Sequence, residues 1–313
     1  MNKLPISALL LAVMLAACAP PGPETSPTKG RITAIVAESH AALMQKEADE
    51  FQRLYPEAKV TLLPASSREA IVHLLNDSVR IVIVDRPLNR EEQAVVQQAG
   101  IQINENKVAG DALVVVVPEQ NPLENILLAT LSAMARREIT DWKNVPESKI
   151  SGPIEFAFTG RNSGAYELLV QTFLKLQEEV VPAFIGSTQK EVLEYVMSHP
   201  RALGVVSAAA FYSLTRPRGV HQDTTSVLRH LAVERQDSTT KQFVKLHQAN
   251  IYRGFYPLHY GVYVYITSSP ARDPGPEVGF STFIASNPGQ KIIMNTGLVP
   301  SKVPIRLVQI NED

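Results

Sequence analysis

From residue 31 onward, apolar and polar positions alternate in short blocks. Arg31–Ala37, Lys59–Leu63 and Arg80–Val84 are brief apolar runs with the length and β-branched content of strands. Between the first two, Ala42, Leu43, Ala48 and Phe51 recur at roughly helical spacing, with Ser39 placed to cap the helix. "ASSREAIVHLL" opens a second helix on a serine, and after "DRPLNREE" Asn89 caps a third that ends at Gly100. Strands are predicted at Ile101–Lys107 and Ala112–Val117. The order β-α-β-α-β with short connections predicts a parallel sheet covered by helices on both faces. In such sheets ligands bind at the carboxyl ends of strands, where helix N-termini gather. That makes the turns Ala37–His40, Ala65–Arg68 and Val84–Pro87 the candidates in this half.

The second half continues in the same style. Leu131–Glu138 reads as a helix, "ITDWKNV" as a turn and Pro153–Phe158 as a strand. "TGRNSGAY" (159–166) is a tight polar turn that leads into a helical run, Tyr166–Leu176. Lys190–Ser198 reads as a helix and "ALGVVS" as a short strand. Residues 216–250 are polar and aperiodic, and the pattern assigns them no element. "YPLHYGVYVYI" is a strong strand, Val278–Ser286 and Gln290–Thr296 are helices, and "VPIRLVQI" is a closing strand. No internal repeat is visible.

The N-terminus follows a different logic. Lys3 precedes an apolar stretch, Leu4–Ala17, which is too short for a membrane-spanning helix of about 20 residues. It reads as a secretory signal peptide. "LAAC" at Leu15–Cys18 is similar to the lipobox of bacterial lipoproteins, in which the cysteine becomes the lipidated first residue; a plain signal peptide is the alternative. Cys18 is the only cysteine, so residues 19–313 have no disulfide and no thiol nucleophile, and a lipid anchor would explain a lone exported thiol. Residues 19–30, "APPGPETSPTKG", have the composition of a flexible tether.

Composition narrows the function classes. The 313 residues are 45% hydrophobic and 19% charged, which is ordinary for a globular chain with a large core. Net charge is −1 with no basic run, so the marked basic face of nucleic-acid binders is missing. The seven histidines are scattered, and HExxH, GxSxG, GxxxxGK[ST] and GxGxxG are all absent. No metal or cofactor is expected. His73 lies in an apolar helical pattern and reads as structural, and Tyr256, Tyr260, Tyr263 and Tyr265 read as packing residues of a strand.

What remains is a set of turns suited to anions. Ser39, Ser66, Ser67, Ser163 and Gly164 sit at or just before predicted first helical turns, where backbone N–H groups and a partial positive charge face outward. Simple N-capping is the alternative for each taken alone. Arg161 adds the planar guanidinium that suits a tetrahedral oxyanion. Asp85, after the apolar "RIVIV", accepts a proton from a protonated anion and repels a fully ionised one. Pairing with Arg86 or Arg90, or a capping role, is its alternative.

In order and spacing, these stretches resemble the phosphate-binding proteins of bacterial phosphate ABC transporters, from about Arg31 to Leu307. "DRPLNREE" resembles that family's Asp-x-Pro-Leu turn. "NPLENILLATLSAMARREITDW" resembles its segment ending in Ile-Thr-x-Trp, and "NSGAY" its Ser-Gly-Thr turn. "ALGVVSAAAFY", "YPLHYGVYVYI" and "FSTFIASNPGQKIIMNTGLVP" resemble later segments. The resemblance implies an α/β, two-lobe periplasmic-binding-protein-like fold of class II type, each lobe a mixed, mostly parallel sheet flanked by helices and joined by two hinge crossovers. One lobe would be 31–111 plus 258–313 and the other 112–257, after a signal peptide (1–18) and a tether (19–30).

It also implies a phosphate site of Ser39, Ser67, Asp85, Ser163 and Gly164. Thr159 stands where the family has its arginine and Ala165 where it has a threonine, so Arg161 is the local guanidinium. The implied protein is an exported, lipid-anchored monomer that hands phosphate to an ABC permease without catalysis. A same-fold binder or sensor of another oxyanion, or an exported phosphoester hydrolase, are the rival functions.

Overall fold

The computed structural model describes residues 25–177, 180–215, 227–235, 242–270 and 272–302. The signal sequence with Cys18, residues 216–226 and the strand expected from Val303 onward lie outside those residues.

Strand β1 (Gly30–Ala37) pairs in parallel with β2 (Ala58–Ala65) on one side and β3 (Ile81–Val84) on the other. A 3-10 turn, Glu38–His40, leads from β1 into α1 (Ala41–Leu54). Helix α2 (Ser67–Leu75) follows β2, and α3 (Arg90–Gln98) follows β3. Every side chain of β3 is buried, because the sheet is covered on both faces. Alternation sorts the strand residues into two cores. Ala34, Val36, Ile81 and Ile83 join Met44, Ala48 and Phe51 of α1, while Ile35, Val82 and Val84 join Ala70, Ile71 and Leu74 of α2.

Strand β4 (Gln102–Pro118) is one continuous element, where the sequence pattern suggested two strands, Ile101–Lys107 and Ala112–Val117. The remaining elements in chain order are β5 (Asn125–Ile126), α4 (Leu128–Ala135), β6 (Glu155–Thr159), α5 (Gly164–Glu167), β7 (Phe184–Gly186), α6 (Gln189–Ser198), β8 (Ala202–Ser207), α7 (Ala208–Thr215), β9 (Leu228–His230), β10 (Ala232–Glu234), β11 (Phe243–Val244), α8 (Gln248–Tyr252), β12 (His259–Ser268), α9 (Pro276–Ile284), α10 (Asn287–Asn295) and β13 (Val299–Pro300). The main sheet runs β2-β1-β3-β12-β4-β8-β6-β7, with β9 and β13 also paired to β4. Helix α4 begins and ends three residues before the expected Leu131–Glu138, and α5 passes into a π-helical turn, Leu168–Phe173, rather than one regular helix.

The long β4 holds the sheet together. Up to Ala112 it pairs with β12; from Leu113 to Val116 it pairs with β8. The change of partner occurs where Leu113 N–H donates to Leu258 O (2.9 Å), just before β12 begins. The outer pairs β1–β2, β1–β3, β6–β7 and β6–β8 are parallel, whereas the central pairings of β4 and β12 are antiparallel. The sheet is therefore mixed, with its parallel order confined to its two ends. Beyond β4, α6 packs Val192 and Val196 over Gly204 of β8; a Cβ there would lie 2.7 Å from Val196 Cγ2, so only glycine permits that approach. Ser26–Lys29, expected within the tether, forms a small bridged turn whose Pro27 carbonyl lies against Gly279 of α9.

Candidate functional site

The carboxyl ends of β1, β2, β3 and β6 converge on one cavity of ≈ 480 Å³. Ser39, Ser67 and Asp85 line it from the side of β1–β3, and Arg161, Ser163 and Gly164 from the turn after β6. The structure thus brings together all six residues singled out from the sequence.

Local sequence explains the placement. At α2 the cap is Ser66, whose Oγ accepts from the Glu69 N–H at 3.1 Å. Ser67 is thereby free to turn inward, and its Oγ donates to Asp85 Oδ1 at 2.5 Å. Ser39 does not cap α1; its hydroxyl bonds to Asp85 Oδ2 at 3.3 Å and lies 2.9 Å from His40 Nδ1. Asp85 is fixed by two serines rather than paired with Arg86 or Arg90. Arg86 turns elsewhere, to Glu92 of α3 (2.8 Å) and to Glu167 at the end of α5. Burial opposes the charge on Glu92, but its bonds to Arg86 and to the Asn89 N–H outweigh that and hold its carboxyl below the ordinary range. Burial raises Glu167, and Arg86 offsets this only in part.

On the far wall Ser163 caps α5, accepting from the Tyr166 N–H at 3.1 Å, and lies 2.7 Å from Thr159 Oγ1. Capping and a cavity position coincide here: the residue that ends the turn also places the first N–H groups of α5 at the wall. Thr159, buried at the end of β6, spends its hydroxyl on Ser163. Gly164 lies directly against Asp85, since a Cβ there would meet Asp85 Oδ1 at 1.7 Å. No larger residue fits unless Asp85 is displaced or the two walls separate.

Behind Asp85 runs a buried polar chain that the sequence did not reveal. His40 Nε2 lies 3.0 Å from Asp111 Oδ2, which also accepts from Tyr260 OH at 2.9 Å, while Asp111 Oδ1 takes the Ala112 N–H at 2.7 Å. Asp111 stands on β4 just before the change of strand partner, so the chain links the cavity to that crossover. The only hint in the sequence was one His beside a serine and one Asp in an apolar strand. Burial, with Asp111 and then Asp85 nearby, raises Tyr260 well above the ordinary range and keeps it a donor. Glu38 also lines the cavity, and its Oε2 accepts the Gln189 N–H at 3.3 Å, from the first residue of α6. Of the tyrosines expected to pack, Tyr263 and Tyr265 stack, and Tyr265 OH donates to Glu105 at 2.7 Å, whereas Tyr260 joins the polar chain. Among the described residues, no group of three or more His, Cys, Asp and Glu is arranged to hold a metal ion.

A cleft at strand ends, lined from both sides by serines and helix starts, is the architecture of a small-ligand binding domain. Residues 21–288 match the profile of the PBP superfamily domain, and the chain belongs to that superfamily. It is 24% identical over 315 residues to the phosphate-binding protein PstS of Pseudomonas aeruginosa, covering 96% of this chain and 93% of that one. It is 25% identical over 282 residues to protein SphX of Synechococcus elongatus, covering 88% and 79%. The fold matches an ABC-type phosphate transport receptor from Vibrio cholerae at a TM-score of 0.65 and 19% identity, over 87% of this chain and all of that one.

Proposed function

We propose that this protein captures phosphate in the cavity between its two sheet halves and delivers it to an ABC transporter. The observation that carries the reading is Asp85: a buried carboxylate held by Ser67 and Ser39, in contact with Gly164 at the capped start of α5 and lining an anion-type cavity. A proton on the ligand bridges ligand oxygen and carboxylate, and an anion without one is repelled. Ser39 and Ser67 line the site and hold Asp85, while Ser163, the N–H groups at Gly164 and the Arg161 guanidinium supply the donors. The phosphate-binding names of the relatives support this choice of anion.

Lobe one, in this reading, is 31–111 with 258–313, lobe two is 112–257, and the paired β4 and β12 segments at Ala112–Leu113 and Leu258–His259 are the hinge. Ligand contact from both walls stabilises the closed arrangement. The protein acts by binding alone, as a monomer, after export and lipidation at Cys18; the "LAAC" stretch supports the anchor. Among the described residues no helix is long and apolar enough to cross a membrane. The test is Asp85→Asn, whose amide donates where the carboxylate accepted. Calorimetry should show sulfate affinity rising relative to phosphate by at least about tenfold, or ~1.4 kcal/mol. An unchanged ratio would mean that Asp85 does not face the ligand.

A further inference from the structure

Glu38 is the wall residue that a phosphate site leaves unexplained. The cavity wall carries two carboxylates, Glu38 and Asp85, against one guanidinium, Arg161. Asp85 answers to a proton already present on hydrogen phosphate. A second carboxylate beside a doubly charged anion is repulsive unless a second proton lies between them. Glu38 is half-buried, and its Oε2 accepts the Gln189 N–H at the start of α6, which holds it at the wall.

Resting on the phosphate reading, we propose that Glu38 is a specificity-determining residue that forces the cavity to take phosphate with two protons, one bridged to Asp85 and one bridged to Glu38. The balance is hydrogen phosphate dianion plus one proton from solvent giving the bound dihydrogen form. The groups facing Glu38 bear this out in charge. His40 of its own turn and the Gln189 N–H draw its carboxyl down, whereas burial, the largest influence, together with Glu191 of α6 and Asp85 of the β3 end, pushes it up. The carboxyl is therefore set to hold or share a proton more readily than an exposed glutamate. No local pattern signals this, since a charged residue in a helix-entry turn ordinarily points to solvent.

The experiment is calorimetric titration of phosphate at about pH 8.5, where the dianion prevails, in buffers of differing ionisation enthalpy. Wild type should take up about one proton per phosphate and lose affinity roughly tenfold per pH unit above the second ionisation of phosphate. Glu38→Gln, whose amide donates to the dianion directly, should take up almost none and bind about tenfold more tightly than wild type at that pH. Glu38→Asp, which keeps a carboxylate, should retain the uptake. Proton uptake absent in wild type, or equal in wild type and Glu38→Gln, overturns the role of Glu38 while leaving phosphate binding intact. Wild type that binds no phosphate at about pH 6 or about pH 8.5 overturns both the role and the reading beneath it.

Discussion

Replacing Gly164 with alanine sets one methyl group against the central contact of the cavity. An ideal Cβ at this position would lie 1.7 Å from Asp85 Oδ1, 2.3 Å from its Cγ and 2.5 Å from Oδ2. No rotamer relieves the clash, because Cβ is fixed by the backbone. Helix propensity works in the other direction, favouring alanine over glycine by about 1 kcal/mol within a helix. The carboxylate, however, is tied to Ser67 at 2.5 Å and to Ser39 at 3.3 Å. Hydrogen bonds to a charged group contribute about 1.5–3 kcal/mol each, so displacing Asp85 from both costs about 3–6 kcal/mol. The alternative is for the two walls to part, which removes the closed site. Net of propensity, about 2–5 kcal/mol separates the variant from a competent cavity, or a loss in phosphate affinity of at least about 30-fold. Because separated walls relieve the clash without unfolding, the melting temperature of the unliganded variant should stay near that of wild type. Calorimetry and a thermal melt measure the two. Phosphate affinity within about threefold of wild type would refute the claim that the Gly164–Asp85 contact is part of the binding arrangement.

Two further perturbations test separate parts of the structure. Glu47 on α1 is fully buried, neither carboxylate oxygen has a hydrogen-bond partner, and burial pushes its carboxyl up to about 9. Between its ordinary value of 4.5 and that raised value the folded protein keeps a proton that the unfolded chain releases, so stability falls as pH rises through this window. Glu47→Gln should melt higher than wild type at about pH 8, by several kcal/mol in stability, and converge with it near about pH 4; parallel pH profiles would contradict the assignment. Glu167→Gln removes the partner that draws Arg86 across from α3 to α5, while Glu92 keeps Arg86 paired. Phosphate affinity should fall roughly tenfold through a less favoured closed form; an unchanged value would mean that this ion pair plays no part in closure.

Much of this arrangement is legible in the sequence, and the reasons for the rest are specific. Strands such as Ile81–Val84 announce themselves because they are buried on both faces and carry nothing polar. The capping box of Asn89 with Glu92 is likewise local chemistry, written in residues three apart. The turn 159–166 could be read because a serine cap and a cavity position demand the same residue. By contrast, Ser39 and Ser66–Ser67 look alike as caps, yet Ser66 caps while Ser39 and Ser67 hold Asp85. Which hydroxyl turns inward depends on a carboxylate 18 or 46 residues away, and no local pattern encodes it. The gap expected between Lys107 and Ala112 is absent for a related reason: β4 stays extended there because β12 and β13 flank it. Glu38, Arg86 and the His40–Asp111 contact are all charged or polar groups whose burial depends on tertiary partners.

The central claim is that the Asp85 cavity selects a protonated tetrahedral anion. Titration calorimetry of phosphate and of sulfate, at about pH 7 on the chain from Ala19 onward, tests it most directly. Phosphate should bind in the micromolar range or tighter, with sulfate weaker by at least about 100-fold, some 3 kcal/mol. Equal affinity for the two anions, or no affinity for phosphate, would contradict it.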